Sequence, residues 1–377
     1  MFIKTLKIEN VRNIQSLTLS TLSQVNVFTG DNGAGKTSIL ESLYIASVGR
    51  SFRHQQIKPL LNAEAHFLRV FLECIDSHGM VYKLGIERNH KSDYKIRING
   101  EKATSLAALS RLLPLIIIDS TSFTLLDGSS SDRRKFLDWG VFHVEHSFYD
   151  NWRLYSKAIK QRNTLLKQGN SNYSLIKPWD KQLVTYALAV ESARQSYLAA
   201  FVESFNVILK ELDENIQSQI SIVYKDGWGH KTNITDINAG FPTLTTTSLL
   251  AVLEANFIKD KKYQRTTEGS HRADLQLFVG KQLVKDIFSR GQKKTVVAAL
   301  KLTQAELVYK AQQASPVILL DDMPSELDKE HLNSFFRYLH TKQYQLFITG
   351  VDVNIFSNLA LNNPSMFHVE HGEINPL

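Results

Sequence analysis

An α/β fold interrupted by a mainly helical insertion is what this sequence predicts, and three observations predict it. The glycine-rich stretch GDNGAGKT, Gly30 to Thr37, lies between a buried-strand pattern and a helical one. A second buried-strand pattern, PVILLDD at 316–322, ends in two adjacent acids near the far end of the chain. Between about 121 and 262 the strand patterns give way to long helical periodicities. The expected organisation is therefore one α/β body built from 1–120 and 263–377, with 121–262 as a helical inserted arm.

In chain order, Ile3, Leu6, Ile8 and Val11, then Ile14, Leu17 and Leu19, alternate with polar residues, which reads as two strands joined near Asn10 to Asn13. Val25 to Thr29 is a short buried strand, and Ile39, Leu40, Leu43 and Ala46 then recur at helical spacing until Gly49. Arg50, Arg53, His54 and Lys58 gather in the loop that follows. The runs FLRVFLECI, VYKLGIER and YKIRING predict an antiparallel β meander, and LAALSRLLPLIIIDS a short helix, a proline break and a buried strand over 115–118. In the insertion, Leu183, Ala187, Val190, Arg194, Tyr197, Phe201 and Phe205 mark one side of a long helix. ISIVYKDGW reads as one strand there. Val296, Leu300, Thr303 and Leu307 mark a helix directly after SRGQ at 289–292, where Ser289 suits an N-cap.

The motifs carry chemistry. GDNGAGKT fits GxxxxGK[ST], in which backbone N–H groups of Gly30, Asp31, Asn32, Gly33, Ala34 and Gly35 close around phosphates, Lys36 reaches the β- and γ-phosphates and the Thr37 hydroxyl holds Mg²⁺. Strand, loop and helix come in the order that aims a helix N-terminus at an anion. Acids at the C-terminal end of a buried strand lie where α/β sheets bind ligands, so Asp321 is the expected Mg²⁺ partner and Asp322 the group that orients a water. The word FHVEH occurs at 142–146 and again at 367–371, without HExxH spacing or an evident third ligand. Trp139, Phe142, Phe148, Tyr149 and Trp152 read as helix packing.

Composition narrows the class. Hydrophobic residues make up 43% and charged ones 21%, which excludes a disordered chain. No run of 18 apolar residues occurs and the opening MFIKTLKIEN lacks a signal-peptide core, so no membrane role and a cytoplasmic location are expected. The single cysteine, Cys74, rules out intramolecular disulfides and Cys-based zinc sites. A formal charge of +7 and a pI near 9.2 are compatible with nucleic acid and equally with small anionic substrates.

Taken together, GxxxxGKT near the start, SRGQ before a helix, LLDD and then SELD resemble the ABC-type ATPase heads of the SMC and Rad50 class, P-loop folds whose motif halves are separated by an inserted arm. Within that class the chain is similar to the RecF family of bacterial recombination and repair mediators. KTLKIENVRNI, GDNGAGKTSILESLYIASVGRSFR, RRKFLDWGVFH, HRADL, SRGQKK and LLDDMPSELD carry the resemblance, in the family's order and over essentially the whole chain.

The resemblance implies ATP and Mg²⁺ as cofactors, and a homodimer in which Ser289, Gly291 and Gln292 of a second copy complete the nucleotide site, with Asp328 at the seam. It implies slow DNA-dependent hydrolysis and binding at gapped DNA or single-/double-strand junctions. It further implies cooperation with RecO and RecR in loading RecA, within the SOS response and replication restart. Candidate DNA contacts are Arg50, Arg53, Arg133, Arg134 and Lys135. Three departures stand out: Ser120, Thr121 and Ser122 replace the family's PED-like loop, Ser270 replaces a proline before HRADL, and Asp322 is a shorter acid than the Glu of transporter heads. Two other readings are an ATP-holding DNA scaffold without meaningful turnover and an ABC-type motor subunit of another complex.

Overall fold

The computed structural model describes the chain except residues 21, 55, 63–64, 92, 169–171, 237–238 and 358. It divides into two compact units, one of 1–123, 211–213 and 294–377 and the other of 124–210 and 214–293.

In the first unit, alternation of buried and exposed residues builds a six-stranded antiparallel sheet in the order Ile14–Leu19, Phe2–Val11, Phe67–Ile75, Val81–Asn89, Tyr94–Ile98, Glu101–Ala103. The uninterrupted apolar runs build a second, mixed sheet. Leu115–Ile118, Val317–Leu320, Gln345–Thr349, Val25–Thr29 and Ser365–Glu370 lie parallel in that order, and Glu373–Pro376 closes the edge antiparallel. Runs buried on both faces are what a covered parallel sheet requires. Phe28 stacks between Phe347 and Phe367, with ring centroids at 6.4 and 5.2 Å.

Helix Lys36–Val48 shares one hydrophobic core with both sheets through Ile39, Leu40, Leu43 and Ile45. The sequence pattern suggests a single apolar side, yet Glu41, Ser42 and Ser47 are buried as well, because sheet covers the helix from two directions. Each of these polar groups is satisfied: Glu41 by Arg12 and Ser51, Ser42 by the Ser38 carbonyl and Ser47 by the Leu113 carbonyl.

The second unit contains helices Ser130–Val144, Phe148–Lys167, Thr246–Ala255 and Phe257–Tyr263 and most of the 40-residue helix Tyr173–Leu212. It also holds a four-stranded antiparallel sheet in the order Lys231–Asn233, Ile220–Lys225, Asp274–Val279, Gln282–Leu283. The sequence reading returns the chain to the α/β body at 263, whereas the contacts do so at 294. Strand Asp274–Val279 is the reason: it pairs along its whole length with Ile220–Lys225, whose other neighbour, Lys231–Asn233, is only three residues long.

Two buried arginines hold this unit together. Arg194 pairs with Asp138 at 2.8 Å and Glu191 at 3.1 Å, while Arg162, fully buried, donates to Asp180 at 2.7 Å and Asp260 at 2.6 Å. Replacing Arg162 by Met leaves two carboxylates buried without their counter-charge, so unfolding free energy is expected to fall by about 3–5 kcal/mol. A lowered urea midpoint measures this.

Candidate nucleotide site

The site is built where three parallel strands end side by side. Val25–Thr29 delivers the loop, Gln345–Thr349 ends in Thr349, and Val317–Leu320 ends in Asp321 and Asp322. Strand ends of this kind are where open α/β sheets take ligands.

The loop conformation depends on glycine: Gly30, Gly33 and Gly35 all have positive φ. Gly30 has φ 140°, and a Cβ there would lie 2.2 Å from the Val369 carbonyl oxygen. Gly35, at φ 121°, caps helix Lys36–Val48 with no side chain satisfying its first N–H groups and no acid in its first turn. The helix therefore presents bare donors and a positive dipole end. Lys36 folds over the loop, donating to the carbonyls of Gly30 at 2.7 Å and Asp31 at 2.9 Å. Burial holds its ammonium below the usual lysine range, against the attraction of Asp322, Asp321 and Asp31.

Asp321 is the hub of the far side. One carboxylate oxygen accepts from the Thr37 hydroxyl at 2.9 Å and the Thr349 hydroxyl at 2.8 Å, and the other accepts from Arg53 at 3.0 Å. Burial pushes its carboxyl up from the usual range, opposed by Thr349, Arg53 and Thr37. Asp322 follows in the left-handed region at φ 54°, its N–H donated to Thr349 and one carboxylate oxygen accepting from Ser325. A non-glycine residue held there is uncommon, and Asp is one of the few types enriched in that region. Loop, Asp321, Asp322, Arg12, Asn13 and Arg53 line a cleft of about 470 Å³.

Three cleft residues were legible in the sequence only as turn or strand ends. Asn13 donates to the Ala34 carbonyl at 3.0 Å and accepts from Ser38 at 3.1 Å, bracing the loop from outside. Arg12, at φ 53°, pairs with buried Glu41. Thr349 reads as the last residue of QLFIT. The one available signal was the polar cluster RN inside an apolar alternation.

The remaining candidates fall elsewhere. Ser289 caps helix Arg290–Gln312 by accepting from the Gln292 N–H at 3.3 Å, while the Gln292 side chain accepts from the Ser289 N–H at 2.9 Å. Ser289 is exposed, and Ser289, Gly291 and Gln292 belong to the second unit. Asp328 caps helix Lys329–His340, accepting from the N–H groups of His331 and Glu330; the His331 N–H foremost, with the His331 imidazole, holds its carboxyl below the usual range against burial.

Of the candidate DNA contacts, Arg53 points into the cleft at Asp321 and not onto an open loop. Arg133 is taken up by Asp274 at 2.8 Å and Arg134 by the Ala273 carbonyl. Lys135 is exposed beside Asp132, and Arg50 is exposed beside Tyr44. The two FHVEH words share no environment: His143 is buried in helix Ser130–Val144, while its counterpart His368 is half-buried in strand Ser365–Glu370.

Sheet, loop and paired acids define a P-loop ATPase head of the SMC-like class, interrupted by an inserted arm. The family described as "RecF/RecN/SMC N terminal domain" matches residues 2–375. Proteins named "DNA replication and repair protein RecF" from Pseudomonas aeruginosa (strain LESB58) and Stutzerimonas stutzeri (strain A1501) are each 36% identical over 377 and 381 residues, covering 100% of this chain and 98% of their own. The chain belongs to the RecF family. A solved structure described as the recombination mediator protein RecF-ATPrS in the RecFOR pathway has a TM-score of 0.86 at 24% identity, covering 100% of this chain and 98% of that one. The Smc head domain derived from Pyrococcus furiosus has a TM-score of 0.56 at 12% identity, covering 100% and 96%. Both likenesses are of fold.

Proposed function

We propose that this chain is an ATP-switched DNA-binding protein of recombination and repair, with the split head and inserted arm of its class. The observation that carries the reading is the hydrogen bond from Thr37 to Asp321, which joins residues 284 positions apart at the mouth of a bare helix N-terminus. ATP phosphates are held by the loop N–H groups from Gly30 to Gly35 and by Lys36, which exchanges its two loop carbonyls for phosphate oxygens.

The residues present fit Mg²⁺. The Thr37 hydroxyl donates its hydrogen bond to Asp321, which leaves the hydroxyl lone pairs for a cation, and Asp321 supplies buried negative charge behind it. Mg²⁺, when bound, neutralises phosphate charge. Asp322 orients the attacking water; its short side chain and its bond to Ser325 favour slow turnover, so the protein acts more as a switch than as a converter of substrate.

Ser289, Gly291 and Gln292 of a second copy complete the site, because a capped but exposed helix N-terminus still offers dipole and hydroxyl to the γ-phosphate. Asp328 lies at that seam. The homodimer closes on DNA at gaps or single-/double-strand junctions and works with RecO and RecR in loading RecA. The relatives' printed names and the RecFOR description support this reading.

Mixing two variants tests the composite site. Lys36→Met spoils one half and Ser289→Arg the other, so each alone is expected to lose DNA-stimulated turnover while their mixture regains part of it. If Ser289→Arg hydrolyses ATP at the wild-type rate with DNA present, completion by a second copy is wrong.

A further inference from the structure

No Asp or Glu occurs between Asp150 and Asp180. Helix Phe148–Lys167 fills most of that stretch, and its residues are sorted by side. Tyr155, Ala158, Arg162 and Leu166 are buried, with Arg162 anchored to Asp180 and Asp260. Directly opposite, Arg153, Lys157, Lys160, Thr164 and Lys167 recur every three or four residues and all are exposed. At 100° per residue they fall within roughly 80° of arc, along about 21 Å of helix.

In this row, among the described residues, Arg153 alone has an acidic partner, Asp150 at 3.8 Å, and both side chains are about two-thirds exposed, so that pair is weak. Lys157, Lys160 and Lys167 make no ion pair among the described residues. Like charges at this spacing destabilise a helix, and beyond Asp150 in the first turn no acid on the same helix offsets them. A straight row of cations on a rigidly anchored helix matches a linear polyanion better than a compact one. Arg133 and Arg134, candidates from the sequence, are by contrast consumed inside the unit.

We propose that this face of the second unit is a sequence-independent contact surface for the DNA phosphate backbone. The inference rests on the DNA-binding reading above and adds where in the insertion the strand is held. Each neutralised phosphate releases counterions, so the row sets part of the salt dependence of binding.

The test uses the full chain and a labelled gapped duplex, with anisotropy titrations across a salt series. The triple variant K157A/K160A/K167A is expected to bind at least tenfold more weakly at low salt. Its plot of log affinity against log salt should be shallower by roughly 2 to 3. Affinity for a fluorescent ATP analogue and the circular dichroism spectrum should not change. A control, K231A/K281A/K285A, makes the same charge change at exposed lysines elsewhere in the unit and should keep the wild-type slope.

A wild-type slope in the first variant overturns the proposal. So does an equal shift in both variants, which would trace the effect to net charge, or loss of binding to poly-glutamate with DNA binding intact, which would mark a protein-docking face. Failure of the wild-type chain to bind DNA at all would instead remove the reading on which the proposal stands.

Discussion

Lys36→Met is expected to weaken ATP binding by roughly 10- to 100-fold, the loss that follows when a charge-assisted hydrogen bond to phosphate is removed. Met is close to Lys in length and apolar, so the buried stem stays packed and the loop keeps its shape. Because the dimer of the proposal is held together by nucleotide, the variant should sediment as a monomer at ATP concentrations that dimerise the wild type. Sedimentation velocity with and without ATP, beside titration of a fluorescent ATP analogue, reads both effects. If the variant dimerises and binds DNA at the wild-type ATP concentration, the switch model fails.

Asp322→Asn is expected to separate turnover from binding. A positioned carboxylate that handles a proton contributes roughly 100- to 10,000-fold to rate, so phosphate release on gapped duplex should fall by at least two orders of magnitude. Asn is among the few side chains at ease in the left-handed region that Asp322 occupies at φ 54°, so the backbone there has no reason to move. ATP affinity and dimerisation should survive, and the dimer on DNA should outlive that of the wild type. Unchanged turnover would exclude Asp322 as the water-orienting group and favour a scaffold that merely holds ATP.

Much of the head could be read before any coordinates, for physical reasons that differ from element to element. Strands Val317–Leu320 and Leu115–Ile118 are buried on both faces, and such runs have few alternatives. Gly30 and Gly35 mark a backbone that side chains would obstruct, which makes GDNGAGKT legible on its own. Misplacement came where local pattern is ambiguous. Asp274–Val279 looks like any half-buried strand, and only its pairing with Ile220–Lys225 assigns it to the second unit. Arg53, Arg133 and Arg134 sit in basic clusters that read as surface, and their carboxylate and carbonyl partners lie 139 to 268 positions away.

By itself, then, the sequence determined the local chemistry: a phosphate loop opening a helix, acids ending a buried strand, a serine suited to cap a helix, and a helical insertion between the halves. Backbone sterics and burial periodicity act over a few residues, and those are what a linear pattern records. Only the tertiary structure decided that Thr37, Thr349 and Arg53 converge on Asp321, that Asn13 braces the loop, and that Arg153, Lys157, Lys160 and Lys167 share the exposed side of an arm helix. Those juxtapositions depend on strand order and helix orientation, which are settled by how whole sheets and helices bury one another.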